Sequence, residues 1–276
     1  MNLLRQAVLG FIRHNSLGSA KGAAYSALLA FFPVLATSAA LLLRLQADVL
    51  QRIIVGFLFE VVPPGAEDLI RYQILERGER PDALLIGAIA FSLFASSGVI
   101  GSLIEGFESA YGVPARRSFL LTQLLSMLLV VLSVVPLLSA CVLILFGRLV
   151  DQQVSAVLAQ SSTLEALAPG WRILYRIIRY SIAFGTTVAV TGLLYYFGPN
   201  RKQRWRLVWR GAVVATTLWM LTTIGFGWYV REIVDYNVVY GSVGAAIALL
   251  VWMFLLAVIA LLGCEFNAAA EPRLRR

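Results

Sequence analysis

The chain of 276 residues is 59% hydrophobic and only 14% charged, with a mean hydropathy of +0.81 and a formal net charge of +8. A soluble domain carries about a quarter charged residues, so this composition excludes an ordinary water-soluble globule and makes lipid the solvent to consider. Cys141 and Cys264 lie in or beside apolar runs, where they read as small buried hydrophobes rather than a disulfide or a metal pair.

The chain begins with a polar lead containing Arg5, Arg13, His14 and Lys21. The ATSAA at 36–40 resembles a signal-peptidase site, but the lead is long and apolar sequence resumes through Leu43. A retained first membrane helix is therefore expected rather than a cleaved signal. A spanning helix needs about 20 largely apolar residues, each adding about 1.5 Å across the hydrocarbon. Six segments qualify: 23–43, 83–104, 119–147, 177–197, 207–229 and 240–263. The fold class is thus all-α, a polytopic membrane bundle in a single integral membrane domain spanning 1–276. The third segment is longer than needed and holds Pro136, which predicts tilt or a kink. The run at 49–62 is too short to cross and contains Arg52 and Glu60, so it reads as an interfacial or re-entrant piece. Arg179 and Arg210 fall near segment ends, where their long stems carry the charge to the interface.

Basic residues are retained on the cytoplasmic side. With six spans both termini share one face, and that face holds twelve basic residues against four acids. The opposite face is nearly balanced, with nine basic residues and eleven acids. Both termini are therefore expected in the cytoplasm. The outer side would carry the two long connections, 44–82 and 148–176.

Several polar residues fall where lipid disfavours them. Glu265 and Asn267 follow the stretch Tyr240–Cys264, which has no Asp, Glu, Lys, Arg or His. One reading makes Glu265 the point where the last helix meets water. The other notes that a carboxylate sits badly at the negative end of a helix, and pairs it with the basic loop Arg201–Arg206. Ser96, Ser97, Gly98, Gly101, Glu105 and Glu108 lie along the second span, and threonine pairs mark the fourth and fifth. Such small and hydroxyl residues suit close helix packing and equally offer a polar track. The loop GPNRKQRWRLVWR interleaves Arg201, Lys202, Arg204 and Arg206 with Trp205 and Trp209. It reads as positive-inside retention with an aromatic belt, or as a pocket for anionic headgroups.

Enzyme chemistry finds little support. The single histidine, His14, lies before the first span, and no HExxH, CxxC, GxSxG or Walker motif is present. Hydrolysis of a phosphodiester needs metal-binding carboxylates or an acid–base pair. No catalytic residue, metal or cofactor is therefore expected, nor a nucleic-acid partner.

The segment VVYGSVGAAIALLVWMFLLAVIALLGCEFNAAAE resembles the C-terminal signature of the BrkB/YihY family of bacterial inner-membrane proteins. So does YYFGPNRKQRWRLVWRGAVVATTLWMLTTIGFGWYVREIVDYN just before it, while AAYSALLAFFPVLATSAALL resembles the family's first span and SLFASSGVIGSLIEGFESAYGVPARRSF its second span and following loop. The likeness covers most of the chain and is weakest in the outer connections. It implies six membrane helices with cytoplasmic ends, and an old label, ribonuclease BN, regarded as a misassignment. It also implies envelope-related lipid traffic. By motif position its characteristic residues are Tyr25, Pro33, Gly98, Glu105, Pro199, Asn200, Tyr236, Asn237, Tyr240, Gly241, Gly244, Glu265 and Asn267, none with a catalytic role.

The expected function is a transporter or scramblase-like protein for an anionic envelope lipid or related amphiphile. Glu105, Glu265 and Asn267 would form a polar cluster or gate, with Arg201, Lys202, Arg204 and Arg206 as headgroup contacts. The alternative is a scaffold that binds lipids or proteins without transport. Membrane lipids are the expected partners, and the small-residue surfaces are compatible with a homo-oligomer.

Overall fold

The computed structural model of the chain describes residues 3–44, 82–113, 117–158, 168–232 and 241–271. The described residues form seven helices: α1 (Leu3–Arg13), α2 (Ser16–Arg44), α3 (Asp82–Ala110), α4 (Phe119–Leu158), α5 (Ala168–Phe197), α6 (Trp205–Glu232) and α7 (Gly241–Ala270). Six of them, α2 to α7, are long and apolar enough to cross a membrane. The six expected spans are all present, and most helices run beyond the apolar segments that announce them. The 49–62 segment lies outside the described residues.

The helices close into a cycle of neighbours, α2 on α3, then α4, α5, α6, α7 and back to α2, with α7 also touching α3. Lipid offers no hydrophobic drive for helices to associate, so close backbone approach and buried polar contacts must hold them. The α2–α3 layer shows the first device. Gly98, Ser102 and Gly106 recur every fourth residue and therefore share one face of α3. Opposite them stand Ser26, Gly22 and Ser19: a Cβ at Gly98 would lie 3.4 Å from Ser26 Oγ, and one at Gly22 would lie 3.3 Å from Ser102 Oγ. Thr37 in turn shares a 2.7 Å hydrogen bond with Ser92.

The crossing of α6 and α7 is tighter. A Cβ at Gly211 would strike the Gly263 carbonyl oxygen, and would stand 2.5 Å from the Asn267 amide. A Cβ at Gly263 would lie 2.7 Å from Ala215 Cβ and would strike the Tyr195 hydroxyl. Only glycine allows backbones this close. Around the crossing sits the main core, with Phe107, Val188, Tyr195, Val208, Ala212, Ala215, Ala260 and Leu261 all buried. Tyr195 is fully buried and donates its hydroxyl to the Ala260 carbonyl at 2.5 Å. Accordingly α7 is the most enclosed span, 39% buried along its apolar window, against 11% for α3 and α4.

Pro33 and Pro136 both lie inside continuous helices. Helix α1 differs from the rest: it is short and amphipathic, and it packs on α7 and the start of α2. It corrects the reading of the N-terminal segment as merely polar. Arg5 and Arg13 are spaced around a helix whose other positions include Leu3, Leu4, Ala7, Val8, Phe11 and Ile12.

The glycine crossing makes a quantitative prediction. Gly211→Ala and Gly263→Ala must separate two backbones, and should each cost about 1–3 kcal/mol, the usual range for overpacking. Gly87→Ala, Gly185→Ala and Gly225→Ala add a Cβ that meets nothing within 4 Å. These should be neutral or gain up to about 1 kcal/mol from helix propensity. Unfolding by SDS titration in mixed micelles distinguishes the two groups.

Candidate functional site

Near its C-terminal end α7 carries two polar side chains that are almost completely enclosed, Glu265 at 2% and Asn267 at 1% exposure. They are two residues apart on a helix, and so point to opposite sides. Each takes a different neighbour.

Glu265 faces the elbow between α1 and α2. The chain stops α1 at Asn15, whose φ of 52° is left-handed, a conformation that asparagine tolerates better than most residues. The Gly18 amide then closes back on the Asn15 carbonyl at 3.0 Å, and α2 begins at Ser16. This turn places His14 and Ser16 on either side of one carboxylate oxygen. The His14 imidazole donates from Nδ1 to Glu265 Oε1 at 2.8 Å, and the Ser16 hydroxyl donates to the same atom at 3.2 Å. Oε2 occupies the space where a side chain on Gly10 would begin. Ser109 of α3 completes the elbow by donating to the His14 carbonyl at 3.0 Å.

The electrostatics explain why a carboxylate is tolerated five residues from Ala270. The end of its own helix is negative, but the N-terminus of α2 is positive and lies alongside it, at Ser16. One helix end compensates for the other. The carboxylate is thus buried in protein, inside a helix that continues to Ala270, and is not the point where α7 meets water.

Asn267 binds main chain. Its Oδ1 accepts from the Gly211 amide at 2.7 Å, and its Nδ2 donates to the Val208 carbonyl at 3.0 Å. A side-chain amide offers both a donor and an acceptor, and here both engage a single turn of α6. The contact is possible because Gly211 carries no side chain.

The loop between α5 and α6 is held as firmly. Arg117 donates to the Gly198 carbonyl at 2.6 Å, the Asn200 amide donates to Glu108 at 3.3 Å, and Gln203 donates to the Tyr195 carbonyl at 2.9 Å. Pro199 is fully buried. Arg201 donates to Glu271 at 2.5 Å and lies 4.4 Å over the Tyr111 ring, a cation–π contact. Burial pushes the Tyr111 phenol well above its ordinary range, which keeps it protonated beneath the guanidinium.

The expected site residues therefore separate. Glu265 and Asn267 are neighbours in sequence with different partners, and Glu105 is exposed on α3 with no hydrogen bond to either. The side chain that meets Glu265 is His14, whereas Arg201 serves Glu271. Lys202, Arg204 and Arg206 are exposed, with Trp205 and Trp209 exposed among them. Among the motif positions, Gly98 and Pro199 lie at close contacts, Asn200 holds Glu108, and Gly244 is buried. Tyr25 is exposed, Pro33 lies within α2, and Gly241 opens α7. Tyr236, Asn237 and Tyr240 lie outside the described residues. Sequence reading set His14 aside; the signal that marks its role is the Asn15–Ser16 pair, a helix stop followed at once by a helix start.

Hydroxyl groups form a second polar feature along α3 and α4. Gln123 donates to Ser97 at 2.5 Å, and Ser97 donates to the Phe94 carbonyl at 2.6 Å. Ser126 and Ser133, one and three turns further along the same face of α4, are buried with no hydrogen-bond partner on Oγ. Among the described residues no group of three His, Cys, Asp or Glu side chains converges as a metal site.

A family described as virulence factor BrkB matches residues 7–276. YfkH of Bacillus subtilis, which carries a provisional ribonuclease-like name, is 29% identical over 99% of this chain and 96% of its own. A UPF0761 membrane protein of Tolumonas auensis is 28% identical over 89% of this chain and 77% of its own. Another from Vibrio cholerae is 31% identical over 40% of this chain and 35% of its own. No solved structure matches.

The elbow predicts energetic coupling over a separation of 251 residues. In a double-mutant cycle, His14→Ala and Glu265→Gln should couple by about 1–2 kcal/mol, within the range for residues in direct contact. Arg201→Ala and Glu265→Gln should couple by less than about 0.5 kcal/mol. SDS unfolding midpoints of the four variants in each cycle provide the test.

Proposed function

The chain belongs to the BrkB family, and from that premise we propose that it moves an anionic envelope lipid, or a related amphiphile, across a bacterial inner membrane. In this reading both termini are cytoplasmic, and the protein acts as a transporter or scramblase rather than an enzyme. The observation that carries it is the hydroxyl seam of α3 and α4. Hydroxyls buried without a partner are costly in a lipid-facing bundle, and Ser126 and Ser133 lie in line with the Ser97–Gln123 pair. A headgroup passing between α3 and α4 would find donors and acceptors at successive turns.

The exposed cations Lys202, Arg204 and Arg206 support the same reading. They flank Trp205 and Trp209 at the start of α6, an arrangement suited to receiving a phosphate at the membrane surface. Glu265 and Asn267 then act as anchors that keep α7 fixed against the α1–α2 elbow and α6. The gating movement falls to the less enclosed helices, with Glu105 exposed on one of them.

Reconstitution tests the proposal. Purified protein in vesicles would be supplied with fluorescent phosphatidylglycerol and phosphatidylcholine, and leaflet exposure followed by dithionite quenching. Wild type should move the anionic lipid faster than empty vesicles do, and Ser126→Leu with Ser133→Leu should abolish the excess. Replacing Lys202, Arg204 and Arg206 by Gln should weaken headgroup capture by about 1 kcal/mol per charge, slowing the anionic probe more than the zwitterionic one. Correctly folded protein that moves neither lipid would point to a static scaffold instead.

A further inference from the structure

Helix α1 is anchored on one side and bare on another. Ala7 and Phe11 are buried against the bundle, Gly10 receives the Glu265 carboxylate, and His14 grips the same group. At about 100° per residue, these positions define the face turned to the protein. Leu4, Val8 and Ile12 form a second apolar stripe, centred roughly 110° further round the helix. They are 64%, 45% and 70% exposed, within the range of residues on the outer faces of the spans such as Ile89 at 43% and Leu120 at 71%. Arg5, Gln6 and Arg13 occupy the remaining side, with the half-buried Leu9 between the two arginines.

We infer that α1 lies in the plane of the bilayer surface and binds an anionic lipid leaflet through this stripe. Three sides of the helix then have three surroundings: protein against Ala7 and Phe11, acyl chains against Leu4, Val8 and Ile12, and headgroups or water around Arg5 and Arg13. Position requires the same. The first candidate span opens at Ser16, three residues beyond the last residue of α1, so α1 sits at the level where the bundle leaves the hydrocarbon. The exposed Leu17 continues the bare apolar surface directly into α2. A second copy of the chain or a protein partner would need to cover the stripe without charges of its own to meet; the cations beside it match phosphate instead. The inference does not depend on lipid being transported.

Spin labels on single cysteines at positions 4, 8 and 12, and at 6 and 13 for comparison, would test this in nanodiscs containing phosphatidylglycerol. Cys141 and Cys264 would be replaced by alanine. The first three labels should collide more often with oxygen than with a water-soluble nickel chelate, and the other two the reverse. Nickel collision at 4, 8 and 12 equal to that at 6 and 13 would overturn the inference, as would dipolar broadening between labels on two copies. Amide exchange of residues 3–13 in the unmodified chain gives a readout free of mutations. It should slow at least severalfold when phosphatidylglycerol replaces phosphatidylcholine; equal rates in the two lipids would remove the anionic leaflet as the partner.

Discussion

A carboxylate enclosed in a helical bundle must be paired, because the protein around it shuts out water and an isolated buried charge is prohibitively costly. Glu265 imposes that requirement on everything around it. Meeting it takes a histidine and a serine hydroxyl on one oxygen, a glycine to make room for the other, and the positive end of α2 alongside. Those groups come together only if α1 turns sharply into α2 at Asn15 and if both helices dock on the end of α7. The elbow, the position of α1 and the placement of α2 against α7 are thus consequences of one buried group.

Asn267 does for α6 what Glu265 does for α1 and α2. It fastens one turn of α6 by both edges of its amide, and the fastening depends on Gly211 and Gly263 letting the backbones meet. Glu271 then holds Arg201, and Arg201 covers Tyr111. The polar end of α7 therefore ties together segments that are remote in sequence. Such contacts are specific in a way that apolar packing in lipid is not, since each donor has a defined acceptor and a slipped register would leave both unsatisfied.

The spans were legible in the sequence because hydrocarbon selects length and apolarity, and both can be counted. Their ends were less so. Residues 265–270 read as departure from the membrane because they include Glu265 and Asn267, yet the helix continues since both side chains find partners and the closing alanines favour helix. The first helix escaped notice for a related reason: Arg5, Arg13 and His14 made its segment look polar, while its apolar residues fall in pairs at helical spacing. The Asn15–Ser16 pair marks the turn that carries His14, but the partner of His14 could not be read from it. Nothing local in either segment records a contact across 251 residues, and a basic loop supplied a more conspicuous partner than a lone histidine.

The distribution of polar contacts also bears on how such a bundle could work. Around α7 the buried polar side chains of Glu265, Asn267 and Tyr195 are satisfied, Thr216 of the neighbouring α6 is not, and α7 is the most enclosed span. Along α4 the situation reverses: its apolar window is 11% buried, and two of its inward serines have no partner. A satisfied network resists displacement because every bond must break at once, whereas an unsatisfied hydroxyl gains when a polar group slides past it. In the proposed path the moving surface is therefore α4 against α3, and α7 with its clamps is the wall. That assignment inverts the expectation that the most conspicuous carboxylate is the gate: Glu265 is better suited to holding the frame still, because a group with this many fixed partners has the most to lose by moving.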